Sequence, residues 1–82
     1  MTTNPRAIKA LEAMRANPLG WRIADLEKVA AAFGLNVRRP GGSHVVFTHP
    51  RVQEALSVPA RRPIKPVYVR AFVRLVDRVR AA

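Results

Sequence analysis

Apolar residues recur at three- and four-residue spacing in two early stretches, alternate with polar ones in the middle, and return to helical spacing near the end. Ile8, Leu11 and Met14, with Ala7 and Ala10 beside them, form a narrow stripe after Asn4-Pro5. Asparagine followed by proline is a good helix start: the side chain caps, and proline suits the first helical position. The pattern predicts an amphipathic helix over residues 4–17, ended by Asn17-Pro18-Leu19-Gly20. Between Trp21 and Gly34, Ile23, Leu26, Val29, Ala30 and Phe33 predict a second helix with one buried face. Asp25 and Glu27 suit its N-terminal dipole, Gly34 suits a left-handed C-terminal cap, and Trp21 anchors the entry.

The period then shortens to two. Leu35–Arg39 alternates apolar and polar and predicts a first strand. Pro40-Gly41-Gly42 predicts a hairpin turn into a second strand, Ser43–Thr48. His49-Pro50-Arg51 starts a polar connection. Gln53–Val58 is expected as the third strand, although Glu54-Ala55-Leu56 has poor β propensity. Three prolines between Pro59 and Pro66 exclude a helix interior there. Val67–Arg80 predicts the last helix, with Tyr68, Phe72, Leu75, Val76 and Val79 buried. Arg70, Arg74 and Arg78 recur on another side at four-residue intervals. The expected class is α+β, in the order α-α-β-β-β-α.

Composition sharpens this picture. Eighty-two residues make a single domain, 1–82, with a small core, since a chain of this length buries only about 60% of its unfolded surface. A hydrophobic content of 49% argues against disorder. There is no cysteine, so disulfides and thiolate metal sites are excluded. No apolar run approaches the ~20 residues that span a bilayer, and Met1–Arg6 shows no apolar leader core. A metal-free, cofactor-free, cytoplasmic protein is expected.

The net charge is +10, and it is uneven. Residues 1–34 carry five basic and three acidic groups, and residues 35–82 carry ten and two. Nine of those ten cations are arginine, whose planar fork suits phosphate. An Ala-, Arg-, Val- and Pro-rich composition also raises arginine over lysine, but it does not explain the shortage of acids. A polyanion, nucleic acid first, is the expected partner.

The densest chemistry lies in Gly41-Gly42-Ser43-His44. Histidine is the side chain whose ordinary titration lies near neutrality, and the chain has two, His44 and His49. His44 heads a strand directly after a glycine turn, which makes it the first choice for acid–base work. An isolated strand histidine is more commonly a plain surface residue. His49, beside Pro50, reads as a solvated turn residue before it reads as a second acid. Ser43 orients the turn, because no neighbouring carboxylate completes a hydrolase triad. Tyr68 reads as a packing residue with its hydroxyl at an edge before it reads as an RNA-stacking one.

Gly42-Ser43-His44 followed by Val45-Val46-Phe47 resembles the HicA toxin family and its G-S-H-x-x-F motif. Leu26–Gly34 resembles the family's first helix and closing glycine. Arg38-Arg39 stands before the glycine turn as basic residues do there. Val58-Pro59 and Ile64-Lys65-Pro66 resemble the third-strand exit and last-helix entry. The likeness covers roughly residues 21–80. It implies a double-stranded-RNA-binding-domain-like fold, with a three-stranded antiparallel sheet packed with helices, and residues 1–20 as a helical extension on a core at 21–82. It implies a ribosome-independent messenger-RNA endoribonuclease with catalytic His44, neutralised by a HicB-like antitoxin, and the metal-free composition makes a metal-independent reaction the expectation. Two departures stand out. The N-terminal helix is additional, and Val45 replaces a histidine or polar residue common in the family, so no His-His pair is available within the motif.

On this reading Arg38, Arg39, Gly42, Ser43, Lys65, Arg70 and Arg74 contact substrate, and the chain alone contacts neither DNA nor membrane. Two other readings remain at the sequence level. One is a non-catalytic RNA-binding module, and the other is a basic domain that meets an acidic protein. A helix-turn-helix over residues 4–33 suits the Asn17–Gly20 link and the modest charge there poorly.

Overall fold

The computed structural model describes residues 4–82, so the part of the leader reading that rests on Met1–Thr3 lies outside the described residues. The elements are α1 (Pro5–Ala16), α2 (Ile23–Ala32), β1 (Asn36–Arg38), β2 (His44–His49), β3 (Val52–Pro59) and α3 (Pro66–Ala81). The order matches the sequence reading, and the fold is α+β, consistent with the double-stranded-RNA-binding-domain type. No helix is long and apolar enough to cross a membrane among the described residues.

Local chemistry explains the helix ends. The Asn4 side chain accepts from the Arg6 N–H at 2.9 Å, and Pro5 occupies the first helical position of α1. At the start of α2 the Asp25 carboxylate accepts the Arg22 N–H. Its C-terminus closes on Gly34, at φ +76°, with the Gly34 N–H bonded to the Ala31 carbonyl and the Leu35 N–H to the Ala30 carbonyl. This paired closure requires a left-handed residue, which glycine supplies without a Cβ penalty. Proline at the first position again starts α3.

The sheet is an antiparallel meander, β1-β2-β3. Val45 lies opposite Val58, and Phe47 lies opposite both Val37 and Leu56. Val45, Phe47 and Val58 are buried, so one face of the sheet carries the core. Phe47 meets Phe72 of α3 edge-on, with ring centroids 5.1 Å apart. The third strand forms despite its weak propensity, because pairing with β2 satisfies its backbone and places Leu56 and Val58 on that core face. β1 is shorter than expected. Leu35 is drawn into the core as part of the α2 closure, and Arg39 lies beyond the last rung.

α1 packs against α2 and α3, and its Leu11 and Met14 belong to the same core as the rest of the chain. The stripe is rotated slightly from the sequence reading, with Ala7 buried and Ile8 partly exposed. The buried face of α3 is also rotated from the sequence reading, in the opposite sense. Val69 and Val73 are buried, while Tyr68 and Val79 are half-buried at the margin. A helix seated on both a sheet and a second helix buries a wider arc than one stripe defines. Arg15 holds α1 to α3, with its guanidinium donating to both carboxylate oxygens of Asp77 at 2.8 Å each. That hydrogen bonding keeps the Asp77 carboxyl below the usual carboxylate range, against an opposing effect of burial.

Candidate active site

Gly41 and Gly42 sit at φ +124° and +72°, a conformation that side chains with a Cβ rarely adopt. The turn they make delivers Ser43 and His44 to the first rung of β2. His44 lies opposite Pro59, the last residue of β3. One step further out, the Ser43 carbonyl accepts the Ala60 N–H at 2.6 Å, which extends the ladder past the strand ends.

The connection from β3 to α3 is therefore pinned near His44. Its far end is pinned as well, because the Ile64 N–H donates to the Trp21 carbonyl at 3.0 Å and the Ile64 side chain is buried. Trp21 in turn donates its ring N–H to the Asn17 carbonyl at 2.7 Å. The expected anchor role of Trp21 thus extends to the loop that faces His44. Between the two pins the Arg62–Pro63 peptide is cis.

Ser43, His44, Pro59, Arg61, Lys65 and Tyr68 line one cleft of about 180 Å³. It lies where the start of β2, the end of β3 and the N-terminus of α3 meet. His44 is exposed and open to solvent. No carboxylate lines the cleft. Each of the five acids of the chain is engaged elsewhere. Glu12 and Asp77 hold Arg15, Glu27 holds Arg39, Glu54 holds Arg78, and Asp25 accepts from the Arg22 backbone. Arg61 and Lys65 have no acidic partner among the described residues. With the positive end of the α3 dipole, they make the cleft a favourable place for an anion.

The residues expected from the sequence do not all gather at one place. His44, Ser43 and Lys65 converge on the cleft, with Gly42 shaping the turn. Arg38 lies opposite Val46 on β1, diagonal to His44 on the same side of the sheet at about 7–8 Å between backbones. Arg39 turns to Glu27 of α2 instead. Arg70 and Arg74 lie along a separate groove between α1 and α3, with Met14, Val73, Arg15 and Asp77. His49 closes the other end of β2, where its Nδ1 accepts the Arg51 N–H at 3.1 Å. Five steps along the strand, roughly 17 Å, separate it from His44.

Arg61 and Tyr68 were not foreseen as companions of His44. In the sequence Arg61 is one cation in a proline-rich segment, and Tyr68 is one member of an apolar stripe with RNA stacking as its second reading. Their approach to His44 depends on the β2–β3 register, which no local pattern contains. Among the described residues no three His, Cys, Asp or Glu side chains are grouped so as to hold a metal ion.

A family model described as the HicA toxin of bacterial toxin–antitoxin systems matches residues 23–77. The match spans α2 through most of α3 and leaves α1 outside. No curated protein and no solved structure matches the chain.

Proposed function

The chain belongs to the HicA toxin family of bacterial toxin–antitoxin systems, and from that premise we propose that it is an endoribonuclease whose cleft cuts messenger RNA with His44 as general base. The convergence of His44, Arg61 and Lys65 on one acid-free cleft carries this reading. The HicB-type antitoxin implied by the family is its inhibitory partner.

RNA brings its own nucleophile. His44 takes the proton of a 2′-hydroxyl, and the freed oxygen attacks the adjacent phosphorus. The bond from phosphorus to the 5′-oxygen breaks, and that oxygen takes a proton from water, which reaches the exposed imidazole. The products are a 2′,3′-cyclic phosphate and a 5′-hydroxyl. Arg61 and Lys65 offset the extra negative charge that builds on the phosphoryl oxygens in the transition state, where a fixed cation contributes most. The imidazolium that remains then returns its proton to the solvent. Positioned acid–base catalysis of this kind is typically worth about 10²–10⁴-fold.

In this scheme His44 takes the nucleophile's proton, water supplies the leaving group's, and Arg61 and Lys65 offset the phosphoryl charge, so cleavage is expected to persist in EDTA. His44→Ala is expected to lose cleavage, and His49→Ala, at the far end of the strand, to retain it. RNA binding without cleavage by the wild type, or equal cleavage by wild type and His44→Ala, would sink the proposal.

A further inference from the structure

We propose that Tyr68 forms the wall of a nucleobase subsite beside His44, on which a base flanking the scissile phosphate stacks. This rests on the reading of the cleft as an RNA site and adds a contact which that reading does not contain. Arg61 and Lys65 account for phosphate recognition, but a single-stranded nucleotide also presents a flat apolar base. Binding surfaces for single strands generally pair a basic groove with an aromatic platform.

The chain has five aromatic residues, and four are committed elsewhere. Phe47 and Phe72 meet in the core. Phe33 lies beneath the Arg80 guanidinium, 5.4 Å from its ring centroid. Trp21 spends its ring N–H on Asn17. Only Tyr68 lines the cleft, and its hydroxyl makes no hydrogen bond among the described residues.

The ring is also held in place. Tyr68 is the third residue of α3, with its N–H bonded to the Lys65 carbonyl at 3.0 Å, and its side chain packs in part against the core. A wall fixed in this way loses little conformational freedom when a ligand binds. Pro59, opposite His44 in the β-ladder, adds a second apolar surface to the same cleft. Stacking is tolerant of base identity, because every base has a π-face. The subsite therefore supplies affinity and register more than sequence choice.

The test uses the His44→Ala protein, which retains RNA uncut, and short single-stranded RNAs carrying one 2-aminopurine at successive positions. Quenching on binding is expected at one position next to the bond that the wild type cuts. In the same background Tyr68→Phe and Tyr68→Trp are expected to keep affinity and quenching. Tyr68→Leu, which keeps an apolar side chain at the core margin, is expected to lose the quenching and to bind about tenfold more weakly. Circular dichroism shows whether each variant is folded. Uniform quenching along the RNA, or unchanged binding by a folded Tyr68→Leu protein, overturns the subsite. The first of these readouts is made with native Tyr68 and stands whether or not the leucine variant folds. Failure of the wild type to cut RNA, with localised quenching intact, overturns catalysis by His44 and leaves the base subsite standing.

Discussion

The carbonyl of Ser43 accepts a hydrogen bond from the backbone N–H of Ala60 at 2.6 Å. This one rung joins the glycine turn that presents His44 to the loop that presents Arg61 and Lys65. The two halves of the cleft are therefore set against each other by backbone geometry.

Gly42→Ala tests that coupling. An added Cβ at Gly42 meets no atom within 4 Å, so its cost is conformational. A left-handed L-residue costs about 1–2 kcal/mol, and a shift of His44 from its place costs rate. The variant is expected to lose about 1 kcal/mol of stability and at least about tenfold in RNA cleavage. Gly20→Ala, at φ +80° in the α1–α2 link and also without a neighbour within 4 Å, is expected to lose similar stability and keep cleavage. Denaturant melts and a cleavage assay on both variants make the comparison.

The acid partners divide the cations into free and committed ones. Arg61 and Lys65 lie in the cleft without an acid, whereas Arg78 is held by Glu54. Each phosphate contact removed from a single-strand complex lowers the slope of log affinity against log salt by about 0.7. Arg61→Ala and Lys65→Ala, in the His44→Ala background, are expected each to show that change. Arg78→Ala is expected to leave the slope in place. Titrations at several salt concentrations decide the matter, and equal slopes for all three variants would contradict the division.

Asp77 predicts a stability component that depends on pH. Hydrogen bonds from Arg15 hold its carboxyl below the ordinary value in the folded chain. A carboxyl depressed on folding stabilises the protein above its unfolded value, near pH ~4, and loses that contribution as pH falls through the folded value. The thermal midpoint of the wild type is therefore expected to drop further than that of Asp77→Asn between about pH 6 and about pH 3. Parallel declines would show that the Arg15–Asp77 link contributes nothing. The effect is modest in either case, because both side chains are over a third exposed.

α1 lies outside the matched family segment yet contributes to the same core. Leu11 is fully buried against neighbours from the other layers. Leu11→Ala is expected to cost about 2–5 kcal/mol, the range for cavities left by buried leucine. In a domain this small that is a large share of the total stability. A cost below about 1 kcal/mol in a denaturant melt would show instead that α1 is a loosely attached extension.

Much of this protein can be read along the chain. The 3.6-residue spacing of Leu11 and Met14, or of Leu26 and Val29, specifies helices whatever packs on them. Asn4-Pro5, Gly34 and Gly41-Gly42 punctuate those elements through their own backbone preferences. His44 stands out because a histidine after a glycine turn is a local feature. The extent of β3, the rotation of α3 that buries Val69 and Val73, and the commitment of Arg39 to Glu27 are different in kind. Each depends on which element lies alongside. The cleft depends on that most of all. Pro59, Arg61, Lys65 and Tyr68 come to His44 only because antiparallel pairing of β2 with β3 sets His44 opposite Pro59. Periodicity is a property of neighbours in sequence, whereas the cleft is made by residues that hydrogen bonding across strands has turned into neighbours in space.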